Sequence, residues 1–559
     1  MTDAAPRANG DRTPSLAEDP ALGLSQRAKI EILGAIMLGL FLGALDQTVV
    51  GTALPRIVTD LGGNDLYTWV VTIYLLTSTI TVPFYGKLSD LYGRRPLLMI
   101  GISLFLIGSA LSGLSQAMWQ LILFRGIQGL GAGALFPISL AVIGDLFTPA
   151  ERGKYQGLFG AVFGIAALVG PWLGGFLTES ISWHWVFIVN LPVGAVALLI
   201  IWRLLPTLKR EGARPSIDYV GVATFTAGLV PILIGLTNAQ RGDWSDVGVW
   251  GWIVGGLVFL IVFLAVEARA REPIVPLDLF RNRTFSLSML AVFTASFGFF
   301  GAIIFLPIWF QVVAGATPTQ SGYYLLPFLA GLILSSVASG QIISRTGRYK
   351  WITAGALGLV VVGLVLFTNL RATTPFPILW AWMFVTGLGI GPSLAAYTII
   401  VQNAVPMQKL GAATSDLTLF RQVGGTVGLT FGFTLFRSGL GTELPTQLLA
   451  AGVPRQVLER FPTGALQASD LTSVGGGGMG FLQLVPEALR EPIVNGIHQA
   501  ISIAIADSFW LGVGASLAAV IATLLLVELP LRTTFGHAPE EGQGHEGTAT
   551  ARLGAPAAD

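Results

Sequence analysis

Long apolar runs alternate with short polar connections along nearly the whole chain, and the runs are close to 20 residues each. A helix rises about 1.5 Å per residue, so a run of this length crosses a hydrocarbon layer roughly 30 Å thick. Transmembrane β-strands are about half as long and alternate polar with apolar positions. The runs do neither, so the pattern predicts a helical membrane bundle. It places spans at 30–54, 68–88, 96–115, 119–143, 155–178, 185–205, 217–238, 247–267, 286–310, 321–343, 351–370, 377–404, 413–437 and 496–528. That makes fourteen.

Composition agrees: 53% of the 559 residues are hydrophobic and only 11% are charged, against about 25% in soluble domains. The charges sit between the runs. With the N-terminus inside, 23 of the 32 Lys and Arg fall on the inner side and seven on the outer, leaving Arg125 and Arg421 within spans. The positive-inside rule therefore sets both termini in the cytoplasm; the setting expected is a bacterial plasma (inner) membrane, crossed many times. Residues 1–29 and 533–559 read as disordered tails, 30–205 as an N-terminal six-helix bundle and 286–532 as a C-terminal one. The pair at 217–267 lies between them.

A weak internal repeat supports two halves. Gly86-Lys-Leu-Ser-Asp90-Leu-Tyr-Gly93-Arg94-Arg95 follows span two, and Gly340-Gln-Ile-Ile-Ser344-Arg345-Thr-Gly347-Arg348 stands at the matching place later. Both glycines and the following arginine keep their spacing, with Ser344 where Asp90 stands. In transporters such repeats flank a site near the midplane. The segment 438–495 breaks the short-loop pattern. Glu443–Ala451 and Pro454–Phe461 read as short amphipathic helices, and 470–474 with 479–485 as a hairpin around Gly475 to Gly478. It would lie outside the cell, where it offers a surface to an extracytoplasmic partner.

Several chemistries are excluded. There is no cysteine, and His184, His498, His537 and His545 lack zinc spacing. A net charge of +1 gives no reason to expect a nucleic-acid partner, and no P-loop is present. What remains is polar groups inside spans. Asp46 in span one is a candidate proton carrier, because an intramembrane carboxylate is costly to keep without a use. Arg125 in span four needs a counter-ion, for which Asp46 is the evident choice, and Asp507 is a second proton-carrying candidate. Gln47, Gln128, Gln311, Gln402, Asp416 and Arg421 are candidates to line a cavity, with Asp416 near the inner end, placed to cap a helix or pair with a loop Arg. The run Gly129-x-Gly131-x-Gly133 reads as close helix packing, and Gly164, Gly170, Pro171, Gly174 and Gly175 as packing or gating in span five.

These motifs together resemble those of the major facilitator superfamily, in particular its fourteen-span drug:H⁺ antiporters. Gly86 to Arg95 is similar to the loop 2–3 signature, Arg125 to Gly133 to that of the fourth helix, and Gly160 to Gly175 to the antiporter signature. The resemblance implies an all-α fold of two six-helix bundles with two extra helices between them. It implies a non-enzymatic exporter of small hydrophobic or amphipathic compounds, working by alternating access. The proton gradient would be the energy source, with no cofactor or metal. Gly86, Asp90, Gly93, Arg94, Arg95, Arg345 and Arg348 would lock the cytoplasmic gate, and Asp46 and Arg125 would couple protons. The long outer segment leaves a lipid exporter of the same fold as the alternative.

Overall fold

The computed structural model describes residues 24–62, 66–206, 218–241, 244–455 and 486–531, and every described element is a helix. The first half comprises α1 (Gln26–Leu61), α2 (Tyr67–Tyr92), α3 (Arg94–Ser112), α4 (Met118–Leu146), α5 (Pro149–Ser180), and one span made of α6 (Trp185–Ile188) and α7 (Asn190–Leu204). Then come α8 (Tyr219–Arg241) and α9 (Val247–Glu267). The second half comprises α10 (Arg283–Val312), a span made of α11 (Pro318–Tyr324) and α12 (Leu326–Thr346), α13 (Lys350–Phe367), α14 (Phe376–Ala404), α15 (Leu410–Ala450) and α16 (Glu487–Leu524). Among the described residues, thirteen helices are long and apolar enough to cross a membrane. The fourteenth is α15, whose Asp416, Arg421 and Gln422 dilute an otherwise apolar run.

The repeat is visible as geometry. α2 ends on Gly93 (φ 96°) and α12 on Gly347 (φ 70°), both in the left-handed region where a side chain is strained. Just before these turns the halves meet. A Cβ on Gly86 would lie 2.1 Å from Ser415 Oγ on α15, and one on Gly340 would lie 2.2 Å from the Gly153 carbonyl on α5. Two helix crossings, α2 with α15 and α12 with α5, thus close the same end of the molecule. Both are backbone-close because glycine permits it.

The pair α8–α9 lies at the periphery. Phe225, Leu229 and Leu233 of α8 pack on Leu76, Ile80 and Val82 of α2. The hydroxyls of Thr430 and Thr434 on α15 accept bonds from Gln240 Nε2 (3.1 Å) and Trp244 Nε1 (2.7 Å). On α9, Val254, Leu257, Val258 and Ile261 are exposed, as a lipid-facing helix requires.

The segment 438–495 differs from its expected form. α15 does not stop near 437 but continues through Pro445 to Ala450, and α16 begins at Glu487, before 496. The stretch 443–450 is therefore the end of α15 rather than a separate short helix. Leu440, Leu444 and Leu448 recur every four residues and are buried in one core with Ile493, Ile497 and Ile501 of α16. That stripe outweighs the single backbone bond proline removes. Most of the expected 454–461 helix and the hairpin at 470–485 lie outside the described residues. At 41 residues, α15 is about 60 Å long, roughly twice the hydrocarbon thickness. Amides of residues 440–450 should exchange hydrogen for deuterium as slowly as those of the middle of α15. Exchange at loop rates would show that the helix ends near 437.

Candidate functional site

Asp46 and Arg125 meet inside the first half. Arg125 Nη1 lies 2.5 Å from Asp46 Oδ2, and both side chains are at most 1% exposed. Gln128 Nε2 (2.8 Å) and Asn190 Nδ2 (3.2 Å) both donate to Asp46 Oδ1. Arg125 also donates to Gln128 Oε1 (2.8 Å) and to the Val70 carbonyl (3.3 Å), and its guanidinium lies over the Tyr74 ring, 4.0 Å from the centroid. Asn190 Nδ2 in turn donates to Ser109 Oγ at 3.0 Å.

Five spans meet in this network: α4 and α7 bond the α1 carboxylate directly, while α2 contacts Arg125 and α3 contacts Asn190. They approach closely because of small residues. A Cβ on Gly129 would sit 2.0 Å from Thr77 Oγ1 on α2, and one on Gly131 2.3 Å from the Phe105 nitrogen on α3. Fully desolvated, the pair gains Coulomb energy at low dielectric, but breaking it strands a charge. Protonation of Asp46 would cancel one charge and leave Arg125 with the Gln128 amide, the Val70 carbonyl and the Tyr74 face.

A second charged cluster holds the closed end. Arg94 pairs with Asp90 (Nη1–Oδ1, 2.6 Å) and with Asp145 of α4 (Nε–Oδ2, 2.7 Å), and also bonds Ser89 Oγ. The Asp90 carboxylate accepts from the Gly411 and Ala412 N–H groups at 3.0 and 2.9 Å. It therefore caps the first turn of α15, where free amides and the helix dipole favour an anion. At the repeat-related place, Ser344 Oγ donates to the Ala150 carbonyl at 2.5 Å. Gln402 of α14 accepts from Gln156 Nε2 (2.9 Å) and donates to the Leu140 carbonyl (3.0 Å), tying α14 to α5 and α4.

Several expected roles change. Arg95 is half-buried and Arg345 and Arg348 are exposed; among the described residues none of the three enters an ion pair, so the ion-paired cluster at the α2–α15 crossing is Asp90, Arg94 and Asp145. Gln128 and Gln402 are buried connectors rather than cavity lining. Gln311 donates to Ser321 Oγ (3.0 Å) while its Oε1 is unpartnered. Gln47 is exposed. Asp507, expected deep, is also exposed and lies apart from Asp46. Asp416 neither caps nor pairs with a loop Arg: it is wholly buried and neither carboxylate oxygen has a hydrogen-bond partner. The span-five motif packs as a two-faced spacer. Gly170 and Gly174 admit Thr48 and Thr52 of α1, Gly164 admits Ile333 of α12, and Pro171 and Gly175 abut Gly322 and Thr319 of α11. Asp145, Asn190 and Ser109 were not singled out for these roles. Asn190 carried a signal, as an amide opening an apolar span, and so did Asp145, as the first charge after an apolar helix.

The Major Facilitator Superfamily family model matches residues 36–429, and the chain belongs to that superfamily. It is 38% identical over 425 residues to the multidrug transporter protein MdtP of Bacillus subtilis, covering 76% of this chain and 78% of that one. It is 33% identical over 513 residues to the MFS-type efflux pump MMF1 of Pseudozyma antarctica, covering 89% and 91%. Among solved structures, the human organic anion transporter MFSD10 shares the fold with a TM-score of 0.57 at 16% identity, over 87% of this chain and 99% of that one.

Two variants test the clusters. Asp46→Ala should lower stability by about 3–5 kcal/mol, the usual cost of stranding a buried charge, and Asp46→Ala with Arg125→Met should recover most of it. Thermal unfolding in detergent reads both. At the closed end, Ser339→Cys on the cysteine-free chain should react slowly with a maleimide, since Ser339 is 3% exposed. Adding Asp90→Asn should speed that reaction several-fold, and an unchanged rate would mean that the clamp does not hold the end shut.

Proposed function

We propose that this protein is a proton-driven exporter of hydrophobic or amphipathic drug-like compounds, an antiporter that works by alternating access. The observation that carries the reading is the buried Asp46–Arg125 pair, with Gln128 and Asn190 on the same carboxylate. It is a titratable group whose protonation changes how α1 is held to α4. The two glycine crossings and the Asp90 clamp supply the other requirement, a barrier between halves that charge and backbone contacts close and that a rocking motion would open. The excess of Lys and Arg at the Asp90 end supports a cytoplasmic setting for that end. The closed arrangement is then the one that faces outward.

Cargo follows from the names of relatives: MdtP is a multidrug transporter and MMF1 an efflux pump. Those names favour drug-like compounds over the lipid alternative. Protein reconstituted in vesicles with an imposed pH gradient should move a cationic or neutral dye against its gradient. Collapse of the proton gradient should stop the movement. Asp46→Asn should cut transport at least ten-fold while leaving dye binding within a few-fold. Undiminished transport by Asp46→Asn, or transport indifferent to the gradient, would refute the proton-coupled reading.

A further inference from the structure

The foot of the α8–α9 hairpin holds two carboxyl groups that belong to neither the Asp46 nor the Asp90 cluster. Asp218 precedes α8 and caps it, its Oδ1 accepting from the Gly221 N–H at 2.8 Å. Glu267, the last residue of α9, is 2% exposed, and its Oε1 accepts from the Val275 N–H at 2.5 Å. Each carboxyl thus spends one oxygen on a backbone amide. The other two oxygens, Asp218 Oδ2 and Glu267 Oε2, are sealed from solvent and have no hydrogen-bond partner. They also point to one spot. A Cβ on Gly221 would lie 2.5 Å from Asp218 Oδ2 and 3.0 Å from Glu267 Oε2, so the two oxygens stand at most the sum of those distances apart.

The charges around them do not relieve the pair. From α2 comes Lys87, whose Nζ is paired with Glu272 of the α9–α10 connection at 2.6 Å. From α15 comes Asp416, wholly buried and without a hydrogen-bond partner, and beyond it lies Asp90, already paired with Arg94. Arg269 and Arg271 of the connection are exposed and, among the described residues, enter no ion pair. Like charges this close, shut away from water, are relieved when one carboxyl takes up a proton.

We propose that Asp218 and Glu267 hold one proton between them, a proton-binding site separate from Asp46 that braces the closed end. Phe263 of α9 and Ile274 and Val275 of the connection share one core with Val82 of α2 and Leu419 of α15. Those two helices are the ones that cross at Gly86 and Ser415. With the proton in place, the α8 cap is joined to the end of α9 and, through the Val275 amide, to the connection, so the hairpin foot bears on the crossing as one piece. When the proton leaves for the cytoplasmic solvent, two facing anions remain and the foot loosens. The brace is therefore present at low pH and lost as pH rises. As a statement about gating this rests on the alternating-access reading; as a statement about proton binding it stands without it.

Infrared spectra of the full-length protein in phosphatidylcholine nanodiscs read the proton directly. Across a pH range of roughly 5 to 9, above the titration of ordinary exposed carboxyls, wild type should lose a protonated-carboxyl C=O band that Asp218→Asn and Glu267→Gln lack throughout. The brace is read by the distance between spin labels on Tyr92→Cys and Arg348→Cys, two exposed positions on opposite halves of the cysteine-free chain. In an Asp46→Asn background, which silences the proton site of the first half, raising the pH should increase the long-distance, open population several-fold. Adding Asp218→Asn should hold the low-pH distribution at every pH, because the amide donates where the proton did. A band that depends on neither residue, no pH response in the Asp46→Asn chain, or the same response with and without Asp218→Asn would overturn the proposal. If one of the two amide variants does not fold, the other decides the same point. Gradient-driven dye export by wild type in the same preparation tests the exporter reading separately, and its absence would leave the carboxyl band untouched.

Discussion

A charge held away from water must find its opposite nearby, and the arrangement of this bundle follows from where that demand is met. In the first half it is met twice. Asp46 and Arg125 compensate each other at the centre of five converging spans, and Arg94 is shared between Asp90 and Asp145 at the closed end. Each compensation draws helices together. The pairs would not form unless Gly129, Gly131, Gly86 and Gly411 let backbones approach to a distance that any side chain would prevent. Charge pairing and small residues are thus two parts of one constraint.

The second half meets the demand differently. Among the described residues Arg421 pairs with no carboxylate, and Asp416 is buried without a donor. The repeat that makes the halves alike in outline does not extend to their charges. Ser344 stands where Asp90 stands, and its hydroxyl bonds a carbonyl of α5, where Asp90 caps α15. One crossing is therefore bound by an ion pair and a helix terminus, the other by a neutral hydrogen bond and glycine contact. The charged crossing is the more sensitive to protonation and the neutral one the more constant.

Much of this was legible from sequence, for physical reasons. Bilayer thickness fixes the length of an apolar run, so the spans could be read directly. The cost of intramembrane charge likewise marked Asp46 and Arg125 as partners. Other features depended on contacts that one sequence does not display. Glutamines in apolar helices look alike, yet Gln128 and Gln402 are connectors while Gln47 is exposed. Asp145 looks like an ordinary helix-end carboxylate until α3 places Arg94 against it. The helix runs on through Pro445, and only the packing of Leu440, Leu444 and Leu448 on α16 shows why it does not break there.

The uninterrupted course of α15 has a mechanical consequence. Its first turn is gripped by Asp90, and its last turns lie some 60 Å away, beyond the hydrocarbon layer. A rigid rod held at one end is a lever. A tilt of roughly 10° at the gripped end would sweep the far tip through about 10 Å by the length of the helix alone. Because α16 packs along those last turns, the two would swing together. Release of one carboxylate on one face of the membrane would thus be displayed as displacement on the other.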